Sequence, residues 1–328
     1  MPATIKRGGV GGAMQDRLNQ NDVTNRVNVE EPGRVHEEVH RLLCARYPGF
    51  DFQPLTAAFD DFRALFEGRY AGYLACDTLY HDMRHTLDMS LAAARMIEGH
   101  DRSHAGADRL GPERALLGVI VALFHDSGYI KRASEAEVEN GAIFTKIHVS
   151  RSADFLSRYL PAAGLAERVN TAAKIVHFTG YELSIGDIHF DNAADRTLGG
   201  IVGTADLIAQ MSDRLYLEKC HRFLYEEFVF GSVARETTLE GKEIVRYQSA
   251  DDLIIKTPGF YEYVARKRIE KELGQADRYA EAHFDGLNPY QSEIDRNIAF
   301  LRGAIEAGDL RKMKRLCYSL SRKDKAAA

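Results

Sequence analysis

The chain has 328 residues, 45% of them hydrophobic and 28% charged, with 27 glycines and 8 prolines. This composition excludes collagen-like, low-complexity and fully disordered chains, and the length is enough to bury a sizeable core. A net charge of −5 creates no global field to recruit nucleic acid or an anionic membrane, and no apolar run approaches the ~20 residues of a transmembrane helix.

Residues 1–33 are polar and aperiodic and read as a flexible N-terminal tail. Gly8, Gly9, Gly11 and Gly12 do not form a dinucleotide loop, because no apolar strand precedes them. Lys6 and Arg7 lead into no apolar stretch, so no secretory signal is expected and the chain reads as cytoplasmic. Cys44, Cys76, Cys220 and Cys317 are scattered without a CxxC pair, as reduced thiols would be.

From Val35 the periodicity turns helical. Residues 35–47 (VHEEVHRLLCARY) and 55–70 (LTAAFDDFRALFEGRY) carry apolar residues at three- and four-residue spacing. Residues 113–126 (ERALLGVIVALFHD) are apolar on nearly every side, as a central helix should be. Further helices are expected over 150–160, 164–178 and 200–230. The strand candidates are short: Glu243–Tyr247 and Leu253–Lys256. Residues 261–273, 288–308 and 309–320 are again amphipathic, with Asn288-Pro289 as a helix start and Gly308-Asp309 as a break. The closing KDKAAA should fray. The expected class is all-α: a helical catalytic domain over 34–230 and a helical C-terminal extension, 231–328, packed on the core.

The chemistry concentrates between residues 80 and 206. In YHDMRHTLDMSLAAARMI, His81, His85 and Asp88 stand at i, i+4 and i+7, so a helix would project them from one face within about 60°. Ala92 and Met96 continue that face as apolar surface, which points the histidines inward. His125-Asp126 ends an almost wholly apolar helix, where an acid is expensive to bury unless a positive group pairs with it. A polar cap with Gly128 as left-handed terminator is the plainer alternative. His148 and His177 each follow an apolar or basic helical stretch. Asp206 lies among Ile201, Val202, Leu207 and Ile208. Each residue alone suits a core or capping role. Together His85, His125, Asp126, His148, His177 and Asp206 are four imidazoles and two carboxylates on separate helices. That mix suits Fe, Mn, Zn, Ni or Co, leaves Mg in the divalent set, and is unlike calcium's oxygen shell. Six ligands exceed one tetrahedral zinc site, so two divalent ions bridged by Asp126 are the economical arrangement.

The series His85, His125-Asp126, Asp206 resembles the HD-domain superfamily of metal-dependent phosphohydrolases. YHDMRH at 80–85 and TADLIAQMSDRLYLE at 204–218 resemble segments of class I cyclic-nucleotide phosphodiesterases. His148, in HVSRSADFL, and His177 resemble ligands of the binuclear HD-GYP phosphodiesterases. The resemblance spans roughly residues 70–230. Tyr129 stands where the cyclic-nucleotide class has a second histidine after the HD pair, and HFTGYE at 177–182 replaces the HD-GYP signature. The resemblance implies an HD-type helical bundle whose substrate is a nucleotide-like phosphoester, cyclic nucleotides included. Metal-activated water would attack it, and His81 would protonate the leaving alcohol. Arg84, Lys131 and Arg151, with Arg132 and Lys146 nearby, are the candidate phosphate holders. An HD-fold di-iron oxygenase and a non-catalytic metal-binding signalling module are the alternatives. No nucleic-acid or membrane partner is expected, and a homodimer is left open.

Overall fold

A computed structural model describes residues 17–238 and 241–313. The backbone is essentially all-α. In chain order the helices are α1 (Pro32–Arg46), α2 (Gln53–Phe66), α3 (Met83–Ser103), α4 (Pro112–Phe124), α5 (His148–Ala162), α6 (Val169–Val176) and α7 (Ala193–Ser212). α8 (Tyr216–Lys219) runs through a π turn, Cys220–Leu224, into α9 (Tyr225–Phe230). α10 (Ala250–Phe260) does the same through Tyr261–Ala265 into α11 (Arg266–Lys271), followed by α12 (Arg278–His283) and α13 (Pro289–Glu306). Between α9 and α10 lies one antiparallel hairpin, β1 (Arg235–Thr237) and β2 (Glu243–Val245), in which Glu236 faces Ile244. Among the described residues no helix is long and apolar enough to cross a membrane.

α3 is the axis of the bundle. Every residue from His85 to Asp101 is buried, because α1, α4, α7 and α12 enclose it. At Gly99 a Cβ would stand 1.9 Å from the Tyr279 carbonyl oxygen, so α12 rests backbone to backbone on α3 only because that position is glycine. α4 buries all its residues from Ala115 to Phe124. A fully apolar helix gains stability wherever it is covered, at roughly 25 cal/mol per Å² removed from water. One continuous core runs from Val23 to Leu301 and takes in Tyr290, Ile294 and Ile298 of α13. The C-terminal helices therefore share the core of the bundle.

Several expectations are corrected. Residues 1–16 lie outside the described residues, but 17–31 are no loose tail: Val23, Val27 and Val29 are buried and Asp22 is fully enclosed. The periodicity missed this segment because buried charges hold it. Asp22 accepts from the Val27 and Arg26 amides at 2.9 and 3.0 Å, and Arg95 of α3 donates to it at 2.6 Å. The expected single helix over 200–230 breaks after Ser212, where the Asp213 carboxylate accepts from the Leu215 amide and from Arg84, both at 2.9 Å. Leu253–Lys256 is helix, not strand. Ser249 caps α10, and Leu253, Ile254 and Thr257 bury one helical face. Glu243–Tyr247 narrows to β2. The helix expected over 309–320 is a short turn at Leu310–Lys312, and its remainder, with Cys317 and the KDKAAA end, lies outside the described residues.

Asp22→Ala is expected to destabilise the fold by about 3–5 kcal/mol, because it strands the buried Arg95 guanidinium. Burial pushes the Asp22 carboxyl up, but Arg95 and the two amides outweigh it and hold it below the ordinary carboxylate range. Its contribution is therefore present at neutral pH and lost as pH falls through that lowered value. Urea unfolding at pH 7 should show the deficit; a loss under 1 kcal/mol would mean that the segment is not integral.

Candidate metal centre

The centre is assembled from the start of α3, the exit of α4, the start of α5 and the middle of α7. At the first, Asp82 caps α3 by accepting from the His85 amide at 2.8 Å. His81 therefore precedes the helix, in a bend of the chain, and is not one turn inside it as its spacing suggested. It still reaches the site, because the Glu227 carboxylate of α9 takes the Tyr80 amide on one oxygen and His81 Nδ1 on the other, both at 2.6 Å. Burial lowers the His81 pKa, but the Glu227 charge outweighs it and the net shift is upward.

His125 ends α4, and Asp126 leaves the helical conformation into a short turn, Ser127–Tyr129. His125 Nδ1 donates to the Ala122 carbonyl at 2.8 Å, which leaves Nε2 with a bare lone pair. That lone pair stands 3.1 Å from Asp126 Oδ2, another acceptor. Both atoms are buried and neither has a hydrogen-bond partner. Two acceptors this close need a cation or a proton between them. With no metal bound, a proton satisfies them: burial lowers the His125 pKa, yet Asp126 lifts it to about 9. Burial likewise raises the Asp126 carboxyl, but His125 outweighs this and holds it far below the carboxylate range.

His85 Nε2 lies 3.6 Å from Asp126 Oδ2 and 3.2 Å from Asp206 Oδ1, and His125 Nε2 lies 3.7 Å from the same Asp206 oxygen. His85, His125 and Asp126, all buried, offer ligand atoms within 4.8 Å of one another and could hold a metal ion. The other Asp126 oxygen, Oδ1, faces His148 Nε2 at 3.9 Å. His148 opens α5 and donates from Nδ1 to the Thr145 carbonyl at 2.7 Å. Its approach depends on Gly128, where a Cβ would sit 1.8 Å from the His148 carbonyl oxygen. Gly128 serves close contact and not a left-handed cap, since its φ is not positive.

Among the described residues no hydrogen bond or ion pair ties His177 to the cluster. The residue ends α6, its Nδ1 is buried without a partner, and no ion pair within 4 Å joins it to Asp126 or Asp206. Glu182, whose carboxylate accepts from the Val149 and Ser150 amides, acts electrostatically on both His148 and His177.

The three candidate phosphate holders are elsewhere. Lys131 pairs with Asp77 at 2.7 Å, Arg151 with Glu135 at 2.8 Å, and Arg84 with Asp213 at 2.9 Å. None lines the cavity of about 540 Å³ that His81, Asp126, His148 and Asp206 open into. The cations on its wall are Lys146, Arg246 and Lys256. Lys256, Leu253, Thr257 and Phe260 belong to α10, so the C-terminal region walls the site, although the sequence reading confined the catalytic part to 34–230. The residues missed from sequence are Glu227 and Gln210. Gln210 donates to Asp206 Oδ1 at 3.3 Å and accepts from the Tyr80 hydroxyl at 3.0 Å. Gln210 sits unremarked inside the 204–218 segment, and no motif marks Glu227. Tyr129 is stacked between His81 and His148, with ring centroids 4.4 Å from each.

Asp126→Asn is expected to weaken binding of Zn²⁺ or Mn²⁺ by more than about 100-fold, beyond the 10–100-fold typical of losing an outer partner. At pH 7.5 metal binding should release about one proton per ion, because His125, with its pKa raised to about 9, must give up its proton to ligate. The release should fade as pH rises through 9. Calorimetry in buffers of different ionisation enthalpy measures it, and zero release at pH 7.5 would remove His125 from the ligand set.

An all-helical chain with a buried His/His/Asp cluster is compatible with an HD-like domain. The family model described as Npun_R2479-like matches residues 135–284. Over that stretch, which carries His148, His177 and Asp206 but begins after the His125-Asp126 pair, the chain is similar to this family. No curated protein and no solved structure matches the chain.

Proposed function

We propose that the protein is an HD-type, metal-dependent phosphohydrolase acting on a phosphodiester or related ester of a nucleotide-like molecule. The observation that supports it best is the placement of His81, held from behind the wall by Glu227, on the same cavity as Asp126 and Asp206. Such a pair is suited to proton transfer, and neither an oxygenase nor a passive metal module has an evident use for it.

A divalent ion held by His85, His125, Asp126 and Asp206 would supply Lewis acidity to a phosphoryl oxygen and lower the pKa of a water. We read one complete position there. A second, half-built position lies at Asp126 Oδ1 and His148 Nε2, and His177 would complete it. The chain's own residues do the rest. His81 carries a proton on the side of the cavity opposite its Glu227 bond and delivers it to the departing alcohol oxygen. Glu227 fixes the ring and stabilises its charged form. Gln210 holds the Asp206 carboxylate in orientation. Tyr181, Tyr247 and Phe260 give flat apolar walls for a base, and Lys146, Arg246 and Lys256 offer charge to phosphate.

The test is metal-stripped protein reloaded with single divalent ions and assayed on cyclic nucleotides, nucleotides and p-nitrophenyl phosphodiesters. Turnover of none of them, or turnover that requires oxygen, would reject the reading. His81→Ala is expected to depress hydrolysis of an alkyl or nucleoside phosphodiester by about 10²–10⁴-fold. The loss on a p-nitrophenyl ester should be much smaller, because that leaving group departs without a proton. Glu227→Gln should shift the alkaline limb of the rate profile to lower pH, since the charge that raises the His81 pKa is gone. Equal losses on both leaving groups, with an unmoved limb, would take the acid role from His81.

A further inference from the structure

The three imidazoles around Asp126 are not held alike. His125 and His148 each donate from Nδ1 to a main-chain carbonyl three residues back, Ala122 and Thr145. His85 turns Nε2 toward Asp126 and Asp206, but among the described residues its Nδ1 has no such partner. The carbonyl three residues back, that of Asp82, is taken instead by the Thr86 amide and hydroxyl. Beside His85, and sharing Tyr80, Gln210 and Tyr216 with the wall of the large cavity, lies a small cavity of about 10 Å³, enough for roughly one water. Its lining includes Arg84, His85, Asp88, Gln210 and Lys219. Asp88 stands one helical turn after His85 on the same face of α3. It is 4% exposed, and its Oδ1 is buried with no hydrogen-bond partner. The Nε of Arg84 is in the same condition.

An acid this deep is costly unless something donates to it. His85, Arg84 and Asp88 line one water-sized space, the Arg84 Nε and Asp88 Oδ1 lack partners, and a water needs two to four such groups. We infer that Asp88 is a positioning residue for the metal centre, holding His85 in its Nδ1–H tautomer through a water in this cavity. Burial pushes the Asp88 carboxyl up to about 7, which fits a group whose hydrogen-bonding capacity the protein alone leaves unfilled. The chain thus supplies two of its metal-facing histidines with carbonyl partners and the third with a carboxylate–water partner. Outer partners of this kind fix the ring and raise its basicity.

The inference rests on the metal centre and not on the hydrolase reading, and its tests do not need activity. Asp88→Asn and the cavity-filling Asp88→Leu are each expected to weaken Zn²⁺ or Mn²⁺ binding by about 10–100-fold in a chelator competition. Wild-type protein that binds neither ion would reject the metal centre itself. Wild-type binding that both folded variants match would overturn the Asp88 role alone. Side-chain ¹⁵N spectra of the metal-free protein separate positioning from bulk stability. In Asp88→Leu the His85 ring should lose its single tautomer, while His125 and His148, tied to carbonyls, keep theirs. If all three change together, or none does, Asp88 does not position His85. Should Asp88→Leu fail to fold, Asp88→Ser, which enlarges the cavity and keeps a polar group, takes its place with the same outcomes.

Discussion

The structure is organised around two acceptors that face each other in a dry interior. In its neutral form His125 cannot donate from Nε2, because its one proton is committed to Ala122. Asp126 Oδ2 cannot donate either. In water this opposition would be trivial; at the buried end of an apolar helix it demands a cation. The elements nearby can be understood by how they maintain it. α4 is apolar and buried from Ala115 to Phe124 and so delivers the pair deep into the bundle. α3 and α7 bring His85 and Asp206 against it, and α5 brings His148 to its other side.

Close backbone approach makes this geometry attainable. Gly99 lets α12 press on α3, and Gly128 lets the start of α5 touch the turn that carries Asp126. Neither position needs a left-handed backbone; both need the absence of a side chain. Polar anchors then fix what packing alone leaves loose. Glu227 ties residues 80 and 81 to α9, Gln210 ties Asp206 to Tyr80, and Asp213 joins Arg84 to the break after α7. The hairpin and α10 close the outer wall of the cavity, which makes the C-terminal helices part of the site as well as of the core.

The helical class was legible because long apolar runs and three- and four-residue spacing depend on local chain geometry. His85, His125, Asp126 and Asp206 were legible for a related reason: polar groups inside apolar helices stand out against their neighbours. His177 gave a weaker signal, because it ends a short helix before a loop whose path no spacing encodes. Arg84, Lys131 and Arg151 were chosen for closeness along the chain. Each is instead claimed by a carboxylate that is close only in space. Glu227 was invisible for the converse reason, lying 146 residues from the histidine it holds. The packed segment from Arg17 was missed because its main anchor is an ion pair across 73 residues and not an apolar stripe.

The dispersal of the ligands has a consequence for how the protein is made. Asp206 follows His85 by more than a hundred residues, and Glu227 comes later still. Closing such loops costs entropy before any ligand bond can compensate for it. In a zinc finger the ion gathers a short chain and folds it; here an ion meeting the half-synthesised polypeptide finds His85 and His125-Asp126 without their partner from α7. Occupancy at the full set can arise only after the bundle has closed. Metal held by such a set would thus be a record of finished tertiary structure, and loading would belong to the life of the protein after folding.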